Sequence, residues 1–143
     1  MIPEIVNKKF VDFPQLTTVK FPTNVKDITN VEDATLLFRL GNTQFKKALD
    51  YFVLDGYVTE YIQMKQDVSK LYKHLSMMET SIPRIFAMQE RRKDTLEPIT
   101  KELNQKAYEV TIIELEVELS DIYSCLFDLK NEELATLLKP KKS

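Results

Sequence analysis

From residue 31 to residue 130, apolar side chains recur at intervals of three and four, the spacing of one face of an α-helix. The spacing predicts a first helix from about Val31 to Phe52, with Ala34, Phe38, Gly41, Phe45, Ala48 and Phe52 on one side and Asn30 as its N-cap. Leu54–Asp55–Gly56 then breaks the pattern. A second helix is expected over Tyr57 to Glu79, carrying Val58, Tyr61, Met64, Val68, Leu71, Leu75 and Met78. Thr80–Ser81–Ile82–Pro83 opens a third, with proline at a tolerated first-turn position. Pro98 falls inside that helix, where it removes a hydrogen bond and crowds the previous turn, so a kink or break is expected near Asp94–Glu97. A fourth helix is expected from near Asn104 to about Lys130. The remaining tail, 131–143, is expected to hold one short turn around Leu134–Leu138 before its basic end, KPKKS. Residues 1–30 follow no period and are interrupted by Pro3, Pro14 and Pro22, which reads as an extended lead-in.

Short connections between long helices make sequential neighbours antiparallel. The expected fold is therefore all-α: an antiparallel array of about four long helices over residues 31–130. The fourth helix is unlike the others. Its main stripe is Tyr108, Ile112, Leu115, Leu119, Ile122, Leu126 and Leu129, while Val110, Ile113 and Val117 lie on the opposite side. A helix apolar on two faces is buried on both, as in the inner layers of a solenoid. Little sequence follows to cover the second face, which leaves the N-terminal segment, a partner or another copy of the chain.

Composition agrees with helices. The 143 residues include only 2 glycines, where an average globular chain would hold about 10. Sheets, hairpins and phosphate-cradling loops lean on glycine, so these architectures are disfavoured. The net charge is −2 with 20 basic and 22 acidic residues, which supplies no global field for nucleic acid or a membrane surface. No stretch approaches the roughly 20 apolar residues of a membrane span, and MIPEIVNKKF lacks the apolar run of a signal peptide. A single cysteine, Cys125, fits a reducing compartment, and a cytoplasmic location is expected.

One cysteine and one histidine leave little for catalysis. A zinc site needs three or four convergent ligands, and neither HExxH nor a phosphate loop is present. His74 reads as a surface or boundary residue and Cys125 as a packing residue. No enzyme, metal or cofactor is expected. The run Glu90–Arg91–Arg92–Lys93–Asp94 is basic but hemmed by acids, and reads as a solvated helix face that pairs with the next helix rather than a nucleic-acid patch. Along the fourth helix, Glu114, Glu118, Asp121 and Asp128 project near one line, in a segment (Gln105 to Leu129) with six acids and one lysine. The stripe either faces the basic cluster of the third helix or meets a basic partner surface. Both readings stand at this point.

Several short blocks resemble a known family. Leu54–Asp55–Gly56–Tyr57–Val58–Thr59–Glu60–Tyr61 and Gln66–Asp67–Val68–Ser69–Lys70–Leu71–Tyr72–Lys73 are similar to stretches of the KIF-binding (kinesin-binding) protein family. So are Arg91–Arg92, Leu96–Glu97–Pro98, Lys101–Glu102–Leu103–Asn104, Glu118–Leu119, Ile122–Tyr123 and Asp128–Leu129–Lys130. The blocks keep their order over about residues 31–130 and correspond to an interior or C-terminal part of longer proteins. Gln105–Lys106 departs from the pattern, standing where a proline-containing turn is expected. The resemblance implies a tetratricopeptide-like α-solenoid that binds kinesin motor domains and blocks their attachment to microtubules. It also implies roles beside the cytoskeleton in cargo transport, axon growth and mitochondrial distribution. It brings no catalytic residue or cofactor. On this reading the acidic stripe is the expected partner-binding surface. The alternative is a structural helical module that self-associates as a homodimer through its uncovered face.

Overall fold

The computed structural model describes residues 28–139. It contains four helices in chain order: α1 (Val31–Tyr51), α2 (Val58–Met78), α3 (Ile82–Glu102) and α4 (Glu109–Leu138). Each packs on the next in sequence. Side-chain pairings run in opposite senses along successive helices, Phe38 with Tyr72 and Gly41 with Leu71, then Ser76 with Gln89 and Ser69 with Arg92. The array is all-α and antiparallel. Most of the lead-in expected over 1–30, and the basic end of the tail, lie outside the described residues.

Local chemistry sets the helix ends. Asn30 caps α1 by accepting the Asp33 backbone N–H at 2.8 Å, and its amide donates to the Asp33 carboxylate at 2.8 Å. Gly56 turns the chain between α1 and α2 with φ at +108°, a conformation that side chains resist. Between α2 and α3, the Glu79 carboxylate accepts the backbone N–H groups of Thr80 (2.9 Å) and Ser81 (3.0 Å) at the start of α3. Those two bonds, that of Ser81 first, and then the Arg84 guanidinium hold the Glu79 carboxyl below its ordinary pKa.

Three expectations need correction. Of the kink or break expected at Pro98, the break does not occur: the third helix runs through it as one element. Leu96 and Ile99 on either side are buried, so packing holds the turn, and the Thr100 hydroxyl donates to the Glu97 carbonyl at 2.9 Å. The fourth helix starts at Glu109 rather than near Asn104. The Asn104 side chain accepts the N–H groups of Lys106 (3.0 Å) and Ala107 (3.2 Å), holding a turn that competes with helix. Finally, α4 continues past Lys130 to Leu138. Glu132, Glu133, Leu134 and Ala135 are strong helix formers, and Lys130 meets Glu133 at 2.9 Å across one turn.

The core joins α2, α3 and α4. Ile62 packs with Leu96, Ile99 and Leu103 and with Ile112, Leu115, Leu119, Ile122 and Leu126. The buried residues of α4 are the main stripe read from the sequence, from Ile112 to Leu129. Gly41 lets α1 approach α2: a Cβ there would lie 3.2 Å from Leu71 Cδ1.

Candidate functional site

The site is built on α4, which is apolar on two sides. The inner side is covered by α3 and α2. Among the described residues the outer side is uncovered: Val110, Ile113 and Val117 are exposed, with Val117 at 59%, and Phe127 is 66% exposed. Leu134, Leu137 and Leu138 extend the exposed apolar surface along the last two turns. Those turns belong to a helix nine residues longer than α3. Lys130 lies one turn before them, its ammonium 4.4 Å from the Phe86 ring centroid near the start of α3.

The acidic stripe divides. Glu118 is turned toward the body, where one carboxylate oxygen accepts from Arg92 Nη2 at 3.3 Å and from the Ser69 hydroxyl at 2.7 Å. Arg92 is 6% exposed, so the middle of the expected solvated run points inward. Its Nε donates to Ser69 Oγ at 3.1 Å and its Nη1 to Gln89 Oε1 at 2.8 Å. Gln89 in turn donates to Ser76 Oγ at 3.3 Å, and Ser76 donates to the Lys73 carbonyl at 2.7 Å. One charge pair with its hydroxyl and amide partners thus ties α2, α3 and α4 together. Among the described residues, no buried side-chain nitrogen or oxygen lacks a partner. That matters because an unpaired buried charge is far costlier than a paired one.

Glu114, Asp121 and Asp128 are exposed, and among the described residues none of them makes an ion pair. Glu114 and Asp121 border a groove of about 570 Å³ between α2 and α4, opposite Lys70 and Lys73. Lys70 is turned to Asp67 on its own helix at 3.6 Å. Asp128 lies beyond the groove. The structural reading of the stripe therefore applies to Glu118, and three carboxylates remain available at the surface.

Cys125 borders the groove between α2 and α4, whereas His74 borders a separate apolar hollow between α1 and α2 with Phe38 and Met78. Among the described residues no cluster of three or more His, Cys, Asp or Glu side chains is placed to hold a metal ion. No helix among them is long and apolar enough to cross a membrane. The sequence reading missed Phe127 because Ser120 and Ser124 interrupt the apolar spacing after Val117, and missed Leu134 and Leu138 because it ended the helix at Lys130.

A family model described as KIF-1 binding protein C terminal matches residues 3–143. The chain belongs to this family. The match includes nearly all of the lead-in, beyond the region where the short blocks were recognised. The KIF-binding protein of Danio rerio is 39% identical over 99 residues, which cover 69% of this chain and 16% of that protein. That of Homo sapiens is 33% identical over 133 residues, 89% of this chain and 21% of that protein. That of Dictyostelium discoideum is 28% identical over 100 residues, 70% of this chain and 16% of that protein. The chain thus spans between a sixth and about a fifth of the length of these family members. No solved structure matches it.

Proposed function

We propose that this chain is a non-enzymatic binding module that engages kinesin motor domains and hinders their attachment to microtubules, thereby regulating intracellular transport. The relatives' name, KIF-binding protein, supplies the partner class. The observation that carries the reading to a surface is the row of exposed carboxylates Glu114, Asp121 and Asp128 on α4. A motor's track-binding face is basic because tubulin is acidic, and an acidic surface is steered toward such a face and masks it. The same reading puts the protein in the cytoplasm beside the cytoskeleton, with axon development among the processes served. Glu118 contributes indirectly, by fixing α4 through Arg92.

The test is capture of a panel of kinesin motor domains by the chain and by its E114K/D121K/D128K variant. Binding that weakens with salt, and that falls about tenfold or more in the variant, supports the reading. Capture of no motor domain by the unaltered chain overturns it. A second reading, self-association as a structural module, is favoured by the exposed Val110, Ile113, Val117 and Phe127. Sedimentation equilibrium distinguishes the two, since a stable homodimer with no motor binding supports the second.

A further inference from the structure

We propose that the open face of α4 is a coiled-coil seam for one helix of a partner protein, and that the partner's flanking positions are basic. This deepens the reading above and rests on its assignment of the acidic flank as a binding surface. The partner class is named here by chemistry alone: an amphipathic helix with a heptad apolar stripe and lysine or arginine beside it.

Spacing is the first support. From Val110 to Leu138 the outward positions follow alternating steps of three and four without interruption. The apolar members are Val110, Ile113, Val117, Phe127, Leu134 and Leu138, all exposed. This is the 3.5-residue repeat by which one helix seats side chains between those of another. Ser120 and Ser124 occupy the two central positions, where small side chains let a second backbone come close. Asn131 takes a single position near the C-terminal end, and one polar residue in such a seam fixes register and partner number. The buried stripe from Ile112 to Leu129 keeps the same alternation on the opposite side. The helix is thus patterned for neighbours on both faces, and among the described residues only one is filled, by α3 and α2.

Charge decides the occupant. In this register Glu114, Asp121 and Asp128 recur every seventh residue on one flank, and Glu109, Glu116 and Lys130 lie on the other. Lys130 is already turned to Glu133 at 2.9 Å. A second copy of α4 would set Glu109 and Glu116 against Glu114 and Asp121 if parallel, and the Glu114, Asp121 and Asp128 flank against itself if antiparallel. Like charges at these positions oppose pairing, and opposite charges select a partner. A helix with basic flanks meets Glu114, Asp121 and Asp128 on one edge of the seam and Glu109 and Glu116 on the other.

Two synthetic peptides of about four heptads, each with isoleucine and leucine along the apolar stripe, provide the test. One carries lysine at the flanking positions and the other glutamate. Binding to the full chain is read by fluorescence anisotropy, with circular dichroism confirming that each variant stays folded. The lysine peptide is expected to bind about tenfold or more tighter than the glutamate peptide, with the difference shrinking at high salt. V117K/F127K is expected to abolish lysine-peptide binding, and E114K/D121K/D128K to reverse the preference toward the glutamate peptide. Equal affinity for the two peptides, binding of neither, or a concentration-dependent homodimer in sedimentation equilibrium would overturn the proposal. No motor domain is used, so absent motor capture with lysine-peptide binding removes the kinesin reading and leaves the seam standing.

Discussion

The helices α1 and α4 are the two outer layers of the described stack, and they are finished differently. The inner stripe of α1 is only half-buried, and its outward face carries Glu32, Asp33, Arg39, Lys46, Lys47 and Asp50. A single-striped helix whose outer surface is polar apart from one leucine, Leu36, is close to what closes a solenoid against water. The α4 helix buries six residues on its inner face and still presents Val110, Ile113, Val117 and Phe127 outward. Its position is that of an outer layer, but its patterning is that of an inner one. Place in a stack therefore does not determine a helix's role; the second face does.

Core truncation gives the sharpest contrast between the two helices. Leu115 is wholly inaccessible in α4, so Leu115→Ala is expected to cost about 3–5 kcal/mol in chemical denaturation. Phe38 on α1 packs against Tyr72 at a ring-centroid distance of 4.7 Å and is half-buried, so Phe38→Ala is expected to cost about 2 kcal/mol. Equal losses at the two positions would break the distinction, because α1 would then be as deeply held as α4.

Next in size is the polar tie, which only one of the two helices possesses. The Arg92–Glu118 pair anchors α4, while among the described residues the hydrogen bonds and ion pairs of α1 side chains are local, apart from a 3.5 Å approach between the Tyr51 and Tyr57 hydroxyls. Removing Arg92 strands a partly buried carboxylate and empties the space its side chain fills. Arg92→Ala is expected to cost about 3 kcal/mol, near the low end for a broken buried pair because the Glu118 side chain keeps 21% exposure to water. Glu118→Gln keeps an oxygen for Ser69 and Arg92 but leaves the buried Arg92 guanidinium without a counter-charge, and is expected to cost about as much. A larger loss in the glutamine variant than in the alanine variant would show that the charge itself, rather than the filled space and hydrogen bonds, holds α4.

The helices were legible in the sequence where a single apolar period ran between clear signals. Asn30 started α1, Gly56 separated α1 from α2, and Pro83 marked the start of α3. The misread boundaries were those where side-chain chemistry competes with periodicity. Asn104 delays α4 through its own hydrogen bonds, and the polar Asn131–Glu133 run conceals a helix that its propensities sustain. The site was legible as a line of acids on α4. Which member turned inward was not, because Arg92 looks solvated until α2 supplies Ser69 and α3 supplies Gln89 as its partners. The outer seam was visible only as far as Val117, although its spacing continues in the sequence to Leu138.

The smallest effects come from the two glycines, which test how tightly α1 is joined to the rest. Gly56 has φ +108° and open space around it, so Gly56→Ala meets no atom and changes only the backbone. Its left-handed conformation opposes a side chain, and a loss of about 1 kcal/mol is expected. Gly41 is the reverse case: its backbone is helical, and the question is room. An added Cβ would stand 3.2 Å from Leu71 Cδ1, a half-buried methyl that borders the hollow between α1 and α2. That methyl can shift into the hollow, while alanine in a helix gains up to about 1 kcal/mol over glycine. The two terms nearly cancel, so Gly41→Ala is expected to change stability by less than about 0.5 kcal/mol, toward stabilisation. A loss greater than about 1 kcal/mol would mean that Leu71 cannot yield and that the α1–α2 contact is as close-packed as the α4 core.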